Sequence, residues 1–427
     1  MLPYFALPFD HPESLPEGDY VLATYLAYGL PEEKVLTRVG NFAVGQTVGT
    51  WVPVPGITQE MVRNHEARVV GCYPVSPARD TSAAGEGTYL LRVAFPRANF
   101  GTSFAMLLTA LVGNDASTAL RAKLIDLELV GKAIEAFPGP AHGIPGLRRL
   151  TGVEGRPLVM NMLKPCTGYP PEVGADLFYA VGSGGVDLIK DDELLGSTDF
   201  SSVAGRVKAY LAAARRIQEE MGRAPLYLPN ITDRPERMRD NARAALEAGA
   251  KGVMVNFVLT GFDALASLTA EFGRDLFFLG HFAGAGIIGN GEDQGISVPT
   301  LLGRLPRLAG ADAVVTMYPA GGQGPGYFDL LRTVQAHRLP LGRLKPVFSV
   351  VGGGVTPLNV TPLYRDLGPD IIIAVGGGVQ GHPQGATAGA RAMMQAVEAT
   401  IAGRDLAEAA QDHPELQQAL HHWGPKA

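Results

Sequence analysis

The stretch Gly184-Gly185-Val186-Asp187-Leu188-Ile189-Lys190-Asp191-Asp192-Glu193 opens on a glycine turn, continues as a short apolar run and ends in one cation followed by three carboxylates. A strand cannot bury that end, because ionised groups are costly to desolvate unless they are paired or bound to a metal. Side chains alternate along a strand, so Lys190 and Asp192 point the same way, and Glu193 joins them where the chain turns. Clustered oxygens suit a hard divalent cation such as Mg2+. A lysine among them is either a plain ion-pair partner or, when neutral, an amine that takes up carbon dioxide as a carbamate and becomes a further oxygen ligand. Taken alone, the stretch also reads as a solvated loop with a surface salt bridge.

Its surroundings decide the fold. Apolar runs at 157–163, 186–190, 226–231, 253–257, 276–279, 313–317, 346–351 and 370–375 alternate with helical windows such as 204–221, 235–248 and 328–337. Strand–helix alternation at this count predicts a (β/α)8 (TIM) barrel of about 250 residues. A doubly wound sheet would place a glycine-rich loop after its first strand. Here the glycine runs follow the last two. Upstream of the Pro/Gly hinge Phe137-Pro138-Gly139-Pro140-Ala141-His142-Gly143-Ile144-Pro145-Gly146 the strands are grouped instead: 21–28, a turn and strand over 45–54, 66–73 and 88–95, with a loop at 80–87. A helix at 104–111 stops at Gly113-Asn114-Asp115. The expected organisation is α/β: a smaller α+β domain over 1–136, then the catalytic barrel over 137–427.

Composition narrows the function. The chain has 427 residues, 46% hydrophobic and 18% charged, with a formal net charge of -6. That is enough for two full cores and offers no electrostatic footprint for nucleic acid. No apolar run reaches the ~18 residues of a membrane span. Met1-Leu2-Pro3-Tyr4-Phe5 has neither the basic nor the apolar region of a signal peptide. Cys72 and Cys166 form no metal or redox spacing. A reducing cytoplasm is the expected setting.

Barrel enzymes carry their chemistry at the C-terminal strand ends. The ends here are Lys164-Pro165-Cys166, the acidic cluster, Asn230, Asn256, His281, Gly352-Gly353-Gly354 and Gly376-Gly377-Gly378. The glycine runs after the seventh and eighth strands offer bare backbone amides to a phosphate. His281, beside a metal cluster, suits acid–base work or is a satisfied core histidine. Lys164 suits either a lysine of lowered pKa or an electrostatic anchor for an enolate.

These residues resemble the large-subunit superfamily of ribulose-1,5-bisphosphate carboxylase/oxygenase (RuBisCO), and within it the RuBisCO-like proteins (form IV). The resemblance covers nearly the whole chain. It runs through Thr50-Trp51, Phe137-Pro138-Gly139-Pro140, Leu163-Lys164-Pro165, the 184–193 motif and Gly376-Gly377-Gly378-Val379-Gln380-Gly381-His382-Pro383. It implies a carbamylated Lys190 and Mg2+ held by Lys190, Asp192 and Glu193. It implies that Lys164 handles the proton or the enediolate, that His281 stands beside the metal, and that Gly354, Gly376 and Gly377 bind one phosphate. It further implies that Thr50, Trp51 and Asn114 come from a neighbouring subunit, so that the active sites of a homodimer, or of an assembly of dimers, lie at its interface.

The departures point away from carboxylation. The loop after the sixth strand, 318–326, has no cation where carboxylases have a lysine. Phe282 replaces an arginine for a second phosphate, Cys166 a second lysine, and Gly45 a glutamate. The expected substrate is a small sugar-like keto compound with a single phosphate. The nearest branch is the methionine-salvage 2,3-diketo-5-methylthiopentyl-1-phosphate enolases, which place a lysine base where this chain has Asn114. The expected chemistry is therefore Mg-dependent enolisation or isomerisation, with Lys164, His281 or the carbamate as base. The alternatives are decarboxylation or hydrolytic cleavage of a phosphorylated 3-oxo sugar acid (3-oxo-isoapionate 4-phosphate type), or a non-catalytic sugar-phosphate binder.

Overall fold

A computed structural model describes residues 8–15, 18–49, 54–75, 86–319 and 326–424. The chain packs as two compact units, 1–138 together with 285–304, and 139–284 together with 305–427.

The first unit is built on a five-stranded sheet. Its centre is β1 (Tyr20–Pro31), antiparallel to β3 (Glu86–Pro96) on one side and to β4 (Ala122–Val130) on the other; β2 (Arg68–Val75) lies outside β3. The helix Val35–Gly45 covers this sheet, with Phe42 set edge-on between Tyr25 at 5.4 Å and Phe95 at 6.4 Å. The expected turn at Gly45 is a helix end: Thr47 Oγ1 donates to Ala43 O at 2.7 Å, closing the last turn. The strand expected just after it falls largely on 50–53, outside the described residues, as does most of the 80–87 loop. β4 is a strand that the sequence reading passed over. The segment 285–304, read from sequence as barrel, belongs to this unit. Its two-residue strand β10 (Gly295–Ile296) pairs parallel with β4.

The second unit is the barrel. Its parallel strands are β5 (Leu158–Met162), β6 (Leu188–Lys190), β7 (Leu226–Leu228), β8 (Gly252–Val255), β9 (Phe277–Gly280), β11 (Ala313–Met317), β12 (Phe348–Gly352) and β13 (Ile371–Val375). The sheet runs β7-β6-β5-β13-β12-β11-β9-β8. It closes where Asn230 bridges Met254, with Ile231 N donating to Met254 O at 3.0 Å. Closure excludes the doubly wound alternative. Alternate residues fill the interior: Leu158 and Met160, Leu188, Leu228, Met254, Phe277 and Leu279, Ala313 and Val315, Phe348 and Val350, Ile372 and Ala374. The barrel is thus a packed core with a rim, not a pore. Among the described residues no helix is long and apolar enough to cross a membrane.

Candidate active site

The inward rows of the barrel continue past the strand ends at the same two-residue step. From Met160 the row runs to Met162 and Lys164, from Leu188 to Lys190, from Leu228 to Asn230, from Met254 to Asn256, from Leu279 to His281, from Val350 to Gly352 and from Ala374 to Gly376. The site is therefore the top layer of the barrel core, where apolar residues give way to polar ones.

Lys190 is 1% exposed, with Nζ 2.9 Å from Asp191 O and 3.6 Å from Glu193 Oε2. Lys164 Nζ donates to Asp192 Oδ2 at 2.5 Å and lies 3.1 Å from Cys166 Sγ. His281 Nε2 is 3.4 Å from Glu193 Oε2. Asn230 Nδ2 donates to the carbonyls of Asp192 (3.4 Å) and Glu193 (3.1 Å), and Asn256 Nδ2 also donates to Glu193 O at 3.1 Å. Lys164, Lys190, Asp192, Glu193 and His281 are thus brought together. Asn230 and Asn256, noted in the sequence only as strand ends, hold the backbone that carries the two carboxylates. The other acids of the opening stretch turn away. Asp187 is gripped by Arg156 at 2.7 and 2.8 Å and by Arg223 at 2.5 Å.

Burial lowers the Lys190 pKa against the pull of Glu193, Asp192 and Asp191. A lysine so placed has a larger neutral fraction than an exposed one. Burial also draws Lys164 down, but its hydrogen bonds to Asp192 and Cys166 outweigh that and hold it above its ordinary value. The direction is opposite to a lysine of lowered pKa, one of the two expectations for this position. Burial, and then the charges of Lys190 and Lys164, hold His281 well below 6.5, so it is neutral. Its Nδ1 accepts from the Ala283 backbone N–H at 3.2 Å. The hydrogen-bond pattern assigns the ring proton to Nε2, facing Glu193. His281 is then a donor toward the site.

Beside Lys164 opens a cavity of about 420 Å3, lined by Met162, Gly353, Gly354, Thr356, Gly376, Gly377 and Trp423 among others. Gly353 and Gly354 have φ of 96° and 68°, which favour glycine. A Cβ on Gly376 would stand 3.1 Å from Met162 Cγ and 3.3 Å from Lys164 Cε, whereas one on Gly377 would meet nothing within 4 Å. Trp423, from the last helix, was missed because nothing local marks it. Phe282 stacks on His281 at 5.0 Å and packs against the barrel core, so no cation stands at that position. Asn114 lies in the first unit, at the start of the helix Asn114–Thr118, where its carbonyl accepts from the hydroxyls of Ser117 and Thr118. Thr50 and Trp51 lie outside the described residues.

Residues 143–423 match the family described as ribulose bisphosphate carboxylase large chain, catalytic domain. A ribulose bisphosphate carboxylase-like protein from Archaeoglobus fulgidus is 39% identical over 97% of this chain and 96% of its own. A 2,3-diketo-5-methylthiopentyl-1-phosphate enolase from Geobacillus thermodenitrificans is 34% identical over 95% of this chain and 98% of its own. The crystal structure of a rubisco-like protein from Alicyclobacillus acidocaldarius superposes with a TM-score of 0.87 at 36% identity, covering 95% of this chain and all (100%) of that one.

Proposed function

We propose, since this chain belongs to the ribulose bisphosphate carboxylase large-chain family, that it is an enolase of that family acting on a phosphorylated ketone of the 2,3-diketo-5-methylthiopentyl-1-phosphate kind, and that it does not fix carbon dioxide. The observation that carries this reading is the meeting of Lys190, Asp192 and Glu193 with Lys164 at the mouth of a glycine-lined cavity, beside Phe282 rather than a cation.

Among the described residues no three His, Cys, Asp or Glu side chains form a metal site. Two carboxylates alone make a poor Mg2+ site, and the third donor between them is an amine. The buried Lys190, with its lowered pKa, can add carbon dioxide, forming a carbamate and releasing a proton. Lys190, Asp192 and Glu193 would then present three anionic oxygen groups, a donor set that fits Mg2+. Bound there, Mg2+ supplies the Lewis acid that makes the carbon next to a substrate carbonyl acidic.

The chain's own residues do the rest. The glycine amides around Gly354, Gly376 and Gly377 hold the phosphate. Lys164 places a positive charge beside the developing enolate. His281 Nε2 keeps the Glu193 carboxylate in place. With Asn114 where the enolase branch has a lysine, with His281 a donor and with Lys164 held charged by Asp192, the proton acceptor falls to the carbamate. The resemblance assigns Thr50, Trp51 and Asn114 to a neighbouring subunit, so the working form is a homodimer. Sedimentation showing an active monomer would remove that part of the reading.

The test has two arms. With 13C-bicarbonate and Mg2+, a carbamate resonance is expected that disappears in Lys190→Arg. In D2O, deuterium should enter 2,3-diketo-5-methylthiopentyl 1-phosphate, while labelled bicarbonate should not enter ribulose bisphosphate. Labelled 3-phosphoglycerate would overturn the reading.

A further inference from the structure

Between Lys190 and Asp192 stands Asp191, whose side chain takes no part in the site. Alternation turns it the other way, into a buried pocket between the end of β7 and the helix Val203–Met221. Its carboxylate accepts from Arg206 Nε at 3.0 Å, from the Asn230 backbone N–H at 2.9 Å and from the Tyr227 hydroxyl at 2.7 Å. Arg206 is itself 0% exposed. It also donates to the carbonyls of Gly196 (2.9 Å), Ser201 (2.5 Å) and Asn230 (3.2 Å). The same Asn230 holds the carbonyls of Asp192 and Glu193, and Asp191 O holds the Lys190 amine.

A buried ion pair is a weak source of stability, because a packed apolar pair of similar volume often does as well or better. This pair supplies orientation. Any rotation of the backbone at Asp191 would turn Lys190 and Asp192 off their shared side. We propose that Asp191, Arg206 and Tyr227 are positioning residues for the Lys190/Asp192/Glu193 ligand set. On this view they fix the spacing of the three ligands from behind the strand. The inference rests on reading those three residues as metal ligands.

Tyr227→Phe is the gentle variant, since the ring keeps its packing on Tyr210 (4.7 Å) and Phe178 (5.8 Å) and loses the hydroxyl's contacts with the Asp191/Arg206 pair. Arg206→Lys keeps the charge and loses the fork. Tyr210→Phe, one ring away and not bonded to Asp191, is the control. Each folded protein, checked by near-ultraviolet circular dichroism, is titrated with Mn2+ at fixed bicarbonate by electron paramagnetic resonance. Outer partners of metal ligands typically contribute 10–100-fold to affinity. Tyr227→Phe should therefore bind Mn2+ roughly ten-fold more weakly, and Arg206→Lys more weakly still, with Tyr210→Phe like the wild type. Wild-type affinity in Tyr227→Phe, or equal weakening in Tyr210→Phe, overturns the inference and leaves the metal reading standing. A wild-type protein that takes up no Mn2+ with bicarbonate present removes both.

Discussion

The proton on His281 separates two roles that look alike in sequence. A base needs a free ring nitrogen facing the substrate. The Ala283 N–H occupies Nδ1 and leaves Nε2–H facing Glu193 at 3.4 Å. Glutamine can place an N–H near the position of Nε2 but cannot accept a proton. His281→Gln should therefore keep deuterium exchange within about ten-fold of wild type, whereas His281→Leu should lose roughly 100-fold, the cost of one preorganised donor. If the two variants are equally inactive in the exchange assay, His281 is the base. Lys190, Asp192 and His281 were legible because alternation along a strand needs no tertiary information. The role of Asp191 was not legible, since its partner Arg206 lies fifteen residues on and its pocket exists only once helix and strand are packed. The raised pKa of Lys164 was also hidden, because it depends on a 2.5 Å contact with Asp192 across two strands.

At the scale of elements, all eight barrel strands were legible, since buried parallel strands read as continuous apolar runs. β4 was not. Its Ala122-Lys123-Leu124-Ile125-Asp126-Leu127-Glu128-Leu129-Val130 interleaves charges with apolar residues, and a register shift between Thr24 and Tyr25 of β1 breaks the simple alternation. The glycine runs were legible as turns, but not which glycine does what. Gly376 abuts Met162 and Lys164, so a methyl there presses on the Lys164 side chain; at Gly377 a methyl enters open cavity. Gly376→Ala should chiefly lower kcat. Gly377→Ala should chiefly raise KM, roughly ten-fold if one charge-assisted backbone hydrogen bond to phosphate is lost. Steady-state kinetics decides, and the same kcat and KM pattern in both variants would refute separate roles.

The whole molecule is less divisible than its hinge suggests. A reading that ends one domain at 136 and starts the next at 137 follows composition, and composition cannot show that residues 285–304 complete the sheet of the first unit. Their hold on β4 is extensive. Beyond the β10 pairing, the hydroxyls of Ser297 and Thr300 both donate to Ile125 O at 2.8 Å, Arg304 Nε lies 2.7 Å from Asp126 Oδ1, and Lys123 Nζ donates to the carbonyls of Gly289 (2.8 Å) and Gly291. Ile296, Val298, Leu301 and Leu302 are buried as well. A chain cut at the hinge therefore leaves one compact unit split between two pieces. Fragments 1–138 and 139–427, expressed together, should co-purify as a stable complex. The fragment 139–427 alone should aggregate, because it carries an unpaired edge and an apolar segment with nothing to cover it. Lys123→Ala with Asp126→Ala in the smaller fragment should weaken the complex, since both lie on the β4 side of this pairing and neither belongs to the barrel. Co-expression followed by size exclusion reads the outcome directly. Two fragments that elute separately, each monomeric and folded, would mean that 285–304 is only draped on the sheet and that the hinge is a true boundary.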